Sequence, residues 1–235
     1  MTLNLKNERK MQFRHEYKHY INMADYLAVK QRLSLVARPD RHAGPDGKYR
    51  IRSLYLETPD DKNLKEKLYG VNNREKFRIR YYNDDPSFIK LEKKTKVNGL
   101  GNKLSAPLTK AECEKLVAGD IAWMRNSPYP LVVELYAKMK YQQLRPKTIV
   151  DYKREAFIYE PGNVRVTIDT AIQTGIHSKD LFCQNLPTIR TNAGNVIIME
   201  VKFDEFLPDI IRAAIQLKNR KATAFSKYAV SRVFG

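Results

Sequence analysis

The sequence predicts an antiparallel α+β domain, and two observations support this prediction. Short segments rich in Ile, Val, Tyr and Phe recur without regular alternation with helical segments, which argues against a doubly wound sheet. In several of these segments Arg, Lys or Glu occupies every second position, so each strand would have one apolar face and one charged face. If such strands close around one another with the charged face inward, they enclose a basic cavity suited to a polyanion.

The alternating charges are mostly positive. They fall at Arg14, Glu16 and Lys18, at Arg78 and Arg80, at Lys90, Glu92 and Lys94, at Arg154, at Arg165, and at Glu200 and Lys202. An isolated Arg or Lys on a strand is usually a solvated surface residue. So many like charges on one solvent-exposed face would repel one another across neighbouring strands. The set as a whole therefore favours an enclosed binding surface.

Composition restricts the class of partner. The 235 residues include 43 Lys and Arg against 26 Asp and Glu, which gives a formal net charge of +17. This length is ordinary for one domain with a substantial core. The charge favours an anionic partner, which could be a nucleic acid, a membrane surface, or a phosphorylated small molecule or polymer. The net charge alone does not distinguish these classes of partner.

Cysteine usage and hydropathy give no sign of secretion or membrane insertion. Cys113 and Cys183 have neither metal-ligand spacing nor a disulfide framework, which favours a reducing cytoplasm. The polar leader over residues 1–10 lacks the apolar core of a signal peptide. The longest apolar runs fall far short of the ~20 residues that span a bilayer. We therefore expect a soluble cytoplasmic protein without a transmembrane segment.

The first elements are a strand and a capped helix. Phe13–Ile21 alternates as a strand does. A helix is expected from about Met23, because Asn22 can cap it with Asp25 at the third position. Its apolar residues recur at helical spacing, at Tyr26, Val29, Leu33 and Val36.

A second strand and helix precede a hairpin. Tyr49–Glu57 is predicted as a strand, and Thr58–Asp61 supplies a Thr cap, a Pro in the first turn and acids for a helix that Gly70 ends. Lys76–Tyr82 and Ser87–Thr95 then form two strands separated by turn residues.

The second half is predicted to contain more strands and two final helices. Thr109 and Glu112 have the spacing of a capping box and open a short helix. Further strands are predicted within Leu131–Glu160, Val164–Asp169 and Asn195–Phe203, with a turn at Asn192–Gly194. Helices are predicted over Leu207–Lys218 and Ala224–Phe234. Eight to ten strands and four or five helices result.

Eight segments match a known family in order and approximate spacing. They are Arg14–Lys18, Ser53–Thr58, Phe77–Tyr82, Lys90–Lys94, Tyr152–Phe157, Val164–Thr170, Ile198–Lys202 and Phe225–Tyr228. Together they resemble the VTC domain family, which contains polyphosphate polymerases and belongs to the triphosphate tunnel metalloenzymes. Each segment alone is weakly specific, but the ordered set is specific, and the resemblance covers roughly residues 10 to 233.

The resemblance implies an antiparallel β-barrel tunnel with helices packed outside, as one domain over residues 11–235. It also implies an enzyme that transfers the terminal phosphate of ATP to a growing polyphosphate chain. The expected partners are ATP and inorganic polyphosphate or triphosphate, and the expected cofactor is Mn²⁺ or Mg²⁺. Such an ion keeps several waters and needs only one or two carboxylates.

The resemblance further implies roles for individual residues. Residues expected to act on the transferred phosphate are Lys227, Arg78, Arg80 and Arg165. Residues expected to bind triphosphate or polyphosphate are Arg14, Lys18, Lys90, Lys94, Tyr152, Arg154, Lys202 and Ser226. Expected metal ligands are Glu200 first, then Glu16 and Glu92. Without a functional role, Glu200 would pair with Lys202 as a structural salt bridge, and Lys227 would lie on an exposed helix face.

One position departs from the wider superfamily, whose members often open with Glu-x-Glu-x-Lys. Arg14 stands in place of the first acid, which removes a metal ligand and adds repulsion to a second metal. This departure argues against the interpretation as a triphosphatase that depends on two metals. It favours the polymerase branch, where Arg-x-Glu-x-Lys is familiar. A tunnel triphosphatase and a non-catalytic polyphosphate-binding module remain alternatives. Nucleic-acid binding by a basic barrel is not expected, since the sequence has no recognised motif for it.

Overall fold

The computed structural model describes residues 14–98, 100–175, 178–190, 196–218 and 226–233. Its strands are β1 (His15–Ile21), β2 (Arg38–Pro39), β3 (Lys48–Glu57), β4 (Arg74–Tyr82), β5 (Asp85–Val97), β6 (Leu100–Leu108), β7 (Arg145–Tyr159), β8 (Val164–Thr174), β9 (Ile189–Arg190) and β10 (Ile197–Phe203). Its helices are α1 (Met23–Val36), α2 (Lys62–Leu68), α3 (Lys110–Ala118), α4 (Pro130–Tyr141), α5 (Asp209–Ile215) and α6 (Lys227–Val233).

The strands form one antiparallel sheet that curls until its border strands meet. They are hydrogen-bonded in the order β1-β10-β8-β7-β3-β4-β5-β6, with β2 beside β7 and β9 beside β8. An isolated antiparallel bridge between Arg14 and Gly101 joins the start of β1 to β6. Lys94 of β5 also reaches Glu16 of β1, with 2.6 Å between Nζ and Oε2. The curled sheet with helices outside confirms the predicted fold class.

Two apolar layers cover the outer face of the sheet. One layer packs α3 and α4 against the β3–β6 half and includes Leu54, Ile79, Leu91, Leu116 and Leu135. The other packs α1 and α5 against β8 and β10 and includes Val29, Leu33, Ile168, Met199 and Ile211. Because side chains alternate along a strand, the charged residues between these apolar positions face the inside of the tunnel.

Local sequence signals placed several elements correctly. Asn22 and Asp25 form the expected capping box of α1, and Thr109 with Glu112 forms that of α3. The turn between β4 and β5 has Asn83 and a neighbouring Asp in the left-handed region, at φ 52° and 57°. Such residues tolerate this conformation and match the twist of a hairpin.

The prediction of strands throughout Leu131–Glu160 was wrong in its first part. Residues Pro130–Tyr141 form helix α4, and only the segment from Arg145 onward is a strand. Pro130 occupies the first turn, where its missing N–H costs no hydrogen bond. The buried residues Val132 and Leu135 are three positions apart, which is helical spacing.

Other elements also differ from expectation, including a missed strand and the start of α2. Strand β6 was not predicted, because Gly101, Asn102 and Pro107 are poor strand formers and the strand is held in place by pairing with β5. Helix α2 begins at Lys62 rather than at Thr58, since Asp61 adopts φ 57°. The predicted leader over residues 1–10, Phe13 and the turn at Asn192–Gly194 lie outside the described residues.

Candidate functional site

Strand register brings the predicted charges together on the inner face. Glu200 pairs with Lys18 on one side and with Thr167 on the other, and Arg154 pairs with Asp169. On the opposite part of the sheet, the register joins Arg78 to Glu92, Arg80 to Lys90 and Lys76 to Lys94. The charged side chains therefore form neighbouring rows inside one curled sheet.

A carboxylate, two cations and an aromatic ring form what we call the paired cluster, which consists of Tyr152, Arg154, Asp169 and Lys227. The guanidinium of Arg154 donates to both oxygens of Asp169 at 2.6 and 2.8 Å, and Nζ of Lys227 lies 2.5 Å from the same carboxylate. Both cations also lie over the Tyr152 ring, 5.4 and 4.9 Å from its centre. Burial would raise the pKa of Asp169, but Arg154 and Lys227 lower it to about 2, so the cluster is a charged unit.

Helix α6 carries Lys227 and is fixed to the tunnel by its neighbouring residues. The hydroxyl of Tyr228 donates to Glu57, whose carboxylate also accepts the backbone N–H groups that open α2. Arg232 donates to Asp61 at 2.8 Å. Ser226 is buried, and its hydroxyl accepts the N–H of Ala229 at 3.4 Å. Ser226 therefore helps to begin the helix that positions Lys227.

Arg78 and Arg80 project from β4 and are held in place by hydroxyl groups and Glu92. Arg80 is buried, and it donates to Tyr152 at 2.9 Å and to Ser53 at 3.0 Å. Arg78 donates to Glu92 at 2.7 Å and to the hydroxyl of Tyr55 at 3.0 Å. These contacts fix both guanidinium groups, which can each present two donors to phosphate oxygens.

Glu16 and Glu200 lie on the same side of the tunnel and share a cation. Lys18 contacts Glu16, and its Nζ lies 3.9 Å from Glu200. Lys94 holds Glu16 at 2.6 Å, and Lys202 holds Glu200 at 2.5 Å. Burial would raise the pKa of each carboxyl group, but the surrounding lysines lower both pKa values. Both groups are therefore carboxylates at neutral pH.

These two carboxylates fit a divalent metal better than Glu92 does. Glu92 contacts the guanidinium groups of Arg78 at 2.6 Å and Arg80 at 3.6 Å, and the ammonium group of Lys103 at 3.0 Å. Glu16 and Glu200 also contact lysines, but they lie beside each other across Lys18 and so offer two carboxylates to one ion. Over the described ranges, no group of three or more His, Cys, Asp or Glu side chains has the geometry of a metal site. Mg²⁺ and Mn²⁺ commonly take one or two carboxylates and complete their shell with water and phosphate oxygens. The Glu16 and Glu200 pair meets that requirement.

A second group of cations, which we call the lysine cluster, contains Lys67, Arg74, Lys76, Lys94 and Lys96. Arg74 and Lys76 lie opposite Lys96 and Lys94 on β5, and Lys67 approaches from α2. In the part of the chain that the structure describes, only Lys94 of this cluster has an ion pair with a carboxylate. Burial and the neighbouring cations lower the pKa of Lys94 to about 8. The cluster therefore carries a local excess of positive charge.

The remaining predicted residues lie toward the ends of the charged face. Arg165 contacts Asp40 and donates to the hydroxyl of Tyr49 at 2.9 Å. The ammonium group of Lys90 lies 4.4 Å from the centre of the Phe88 ring. Arg14, beside the closing bridge, has its Nε 2.8 Å from Asp204. These three cations are on the predicted face but outside the two clusters.

Sequence reasoning missed four inner residues that organise this site. Asp169 holds two of the predicted cations, Lys103 contacts Glu92, and Tyr55 accepts from Arg78. Lys76 belongs to the lysine cluster. Asp169 and Lys76 have the same strand parity as Arg165 and Arg78, so the alternation could have identified them. Tyr55 and Lys103 needed the pairing of strands to be known.

In the described part of the chain, every helix is too short or too polar to cross a membrane. The fold and site together define a β-tunnel protein whose inner face is cationic and carries two facing carboxylates. The family model for the VTC domain matches residues 13–234. The chain therefore belongs to the VTC domain family, as its motifs predicted.

Solved structures that resemble the chain have low sequence identity to it. A candidate adenylate cyclase from Bacillus halodurans is 15% identical, with 81% of this chain and 80% of that chain covered and a TM-score of 0.49. A protein from Pyrococcus horikoshii OT3 is 14% identical, with coverages of 92% and 98% and a TM-score of 0.49. A candidate adenylate cyclase from Vibrio parahaemolyticus is 10% identical, with coverages of 87% and 83% and a TM-score of 0.43. No curated protein matches the chain.

Proposed function

We propose that this protein is a polyphosphate polymerase that transfers the terminal phosphate of ATP to a growing inorganic polyphosphate chain. The observation that carries the proposal is the convergence of Arg78, Arg80, Arg154 and Lys227 on one inner face, where Tyr152 contacts three of them. Phosphoryl transfer asks for positioning and charge neutralisation rather than covalent participation by the protein. A fixed set of cations inside a tunnel supplies both.

Each group has a distinct part in the proposed reaction. Arg78, Arg80 and Arg154 hold the triphosphate with their paired donors, and Lys227 neutralises charge at the phosphate that moves. The bond between that phosphorus and the β-phosphate oxygen breaks, a terminal oxygen of the polymer bonds to the phosphorus, and ADP leaves. Asp169 and Glu92 orient the cations between turnovers. The other predicted cations hold the polymer.

Glu200 and Glu16 would hold the Mn²⁺ or Mg²⁺ ion. When bound, such an ion would withdraw negative charge from phosphate oxygens. Because Glu92 is held by two guanidinium groups, whereas Glu16 and Glu200 lie together beside Lys18, we assign Glu92 to positioning Arg78 rather than to the metal. Cys113 and Cys183 are both free thiols, which is consistent with a reaction in the reducing cytoplasm.

Incubating the purified chain with ATP and Mn²⁺ tests the proposal. We expect long-chain polyphosphate on a stained gel and release of ADP in equal measure with phosphate incorporated. Release of ADP together with free phosphate, and without polymer, would instead identify a triphosphatase. Tight binding of polyphosphate without any ADP release would identify a non-catalytic binding module. Either of these two results contradicts the polymerase assignment.

A further inference from the structure

Lys76 lies inside the tunnel and, among the described residues, lacks the carboxylate partner that Lys18 and Lys94 have. It projects from β4 toward the interior and faces Lys94 of β5 across the strand pair. Over the described ranges, no carboxylate lies within ion-pair distance of its Nζ. Its ammonium group lies 5.7 Å from the centre of the Tyr55 ring.

Five other lysines of the inner face contact acids. Lys18 and Lys94 contact Glu16, Lys103 contacts Glu92, Lys202 contacts Glu200, and Lys227 contacts Asp169. A cation enclosed among other cations is unfavourable unless an anion compensates it or the group gives up its proton. The surroundings of Lys76 are therefore suited to an anion that comes from outside the protein.

We propose that Lys76 is a further phosphate-binding residue of the tunnel and takes up a proton when a polyphosphate anion binds. The inference rests on the proposed function, since it requires the tunnel to receive a phosphate chain. It concerns binding alone, and so it can be tested without turnover.

The groups that face Lys76 explain why it would take up a proton when a phosphate chain binds. They are Tyr55 from β3, Arg78 from β4 itself, Lys94 from β5 and Lys18 from β1. Burial and the three cations lower the pKa of Lys76 to about 7, and Tyr55 opposes the shift. A phosphate chain beside Lys76 would favour the charged form and raise its pKa. At pH 8 the amine is then mostly neutral before binding and mostly protonated after it.

Tyr55 can also exchange a proton, so its contribution to the measured proton uptake must be eliminated. Burial would raise its pKa, but Arg78, Lys76 and Arg80 lower it to about 7. The comparison is therefore made in the Tyr55→Phe protein, with and without Lys76→Arg. Arginine keeps the positive charge but does not lose its proton in this range.

The experiment is calorimetry of inorganic tripolyphosphate binding at pH 8 in buffers of different ionisation enthalpy. Both proteins also carry Lys94→Arg, because the pKa of Lys94 is about 8 and its own proton exchange would add to the signal. The protons exchanged by the ligand are common to both proteins, so their difference isolates Lys76. We expect Tyr55→Phe to take up close to one proton more than Tyr55→Phe with Lys76→Arg, at similar affinity. Lys76→Met should weaken binding about tenfold, as loss of a charge-assisted hydrogen bond does. Lys153→Met, on the exposed outer side of β7, is the matched control and should bind normally.

Equal proton uptake by the two Tyr55→Phe proteins, or unchanged affinity in Lys76→Met, overturns the inference about Lys76. The proposed function survives that result if ATP still yields polymer. Failure of the wild-type chain to bind tripolyphosphate at all overturns both proposals. The two failures are thus distinguishable.

Discussion

The paired cluster and the lysine cluster differ in whether acidic side chains compensate their positive charges. In the paired cluster, one buried carboxylate holds both Arg154 and Lys227 in fixed positions. In the lysine cluster, Lys67, Arg74, Lys76 and Lys96 have no acidic partner among the described residues, and only Lys94 is paired. Fixed charges suit the precise placement of a reacting phosphate. Uncompensated charges suit the attraction of a polyanion whose exact position matters less.

The strongest test of this contrast removes the carboxylate of the paired cluster. Asp169→Ala leaves Arg154 buried without its partner, and breaking a buried ion pair in this way costs about 3–5 kcal/mol. Urea denaturation should show that loss of unfolding free energy. Asp209→Ala is the control, because the Asp209 side chain is 93% exposed. A loss no larger than that of the control would mean that Asp169 does not anchor the cluster.

The Asp169 carboxylate also predicts how the stability of the folded protein depends on pH. The pKa of Asp169 is lowered from 3.8 to about 2 in the folded protein. Its contribution to stability is therefore complete above pH 4 and is lost as the pH falls toward 2. We expect the wild-type protein to lose stability in that interval more steeply than Asp169→Asn, measured by urea midpoints at each pH. Parallel curves for the two proteins would contradict the assigned charge state.

The next test addresses the carboxylates that lie beside Lys18. Glu200→Gln should lower polymer synthesis about a hundredfold, since loss of one strong electrostatic contribution to the transition state has that size. Tripolyphosphate binding without metal should change little, and this separates catalysis from binding. Glu160→Gln provides a control, because the Glu160 side chain is 74% exposed. Full activity in Glu200→Gln would remove Glu200 from the metal site.

A smaller effect is expected from single arginines that bind phosphate. Arg78→Ala should weaken tripolyphosphate binding about tenfold, as for other charge-assisted contacts. Arg165→Ala should weaken it less, because the Arg165 side chain is 36% exposed. Arg38→Ala, with 66% exposure, should have no effect. Equal effects of all three would mean that the tunnel does not distinguish its inner arginines from surface charge.

The smallest effect is predicted at Lys96 of the lysine cluster. Lys96→Ala should weaken tripolyphosphate binding about two- to threefold at low salt, and about 0.5 M salt should abolish the difference, because screening shortens the range of such charges. Lys110→Ala on α3, whose side chain is 52% exposed, serves as the control. A salt-insensitive defect would indicate a direct contact in place of long-range attraction.

Alternation of side chains along a strand made the inner face predictable from the sequence. Arg78 and Arg80 were identified because parity is a local property. The partners of these residues depend on which strands are neighbours, and that information is not local. Tyr152 was identified through the family motif, but its contact with Arg80 requires β7 and β4 to flank β3.

Two departures from prediction had different causes. The helix α4 was mistaken for strands because Val132, Val133 and Tyr136 favour strands, whereas packing of its apolar face decided the outcome. Lys76 was passed over because a lysine next to Phe77 looks like an ordinary surface residue. Its significance comes from Lys94 and Lys18, which approach it from other strands.

The bridge between Arg14 and Gly101 has a consequence for how the protein behaves in a crowded solution. An open sheet presents unpaired N–H and C=O groups along its borders, and these groups can recruit a strand from another molecule. At Arg14 and Gly101 the two borders satisfy each other. A sheet whose borders meet in this way offers fewer templates for edge-to-edge aggregation.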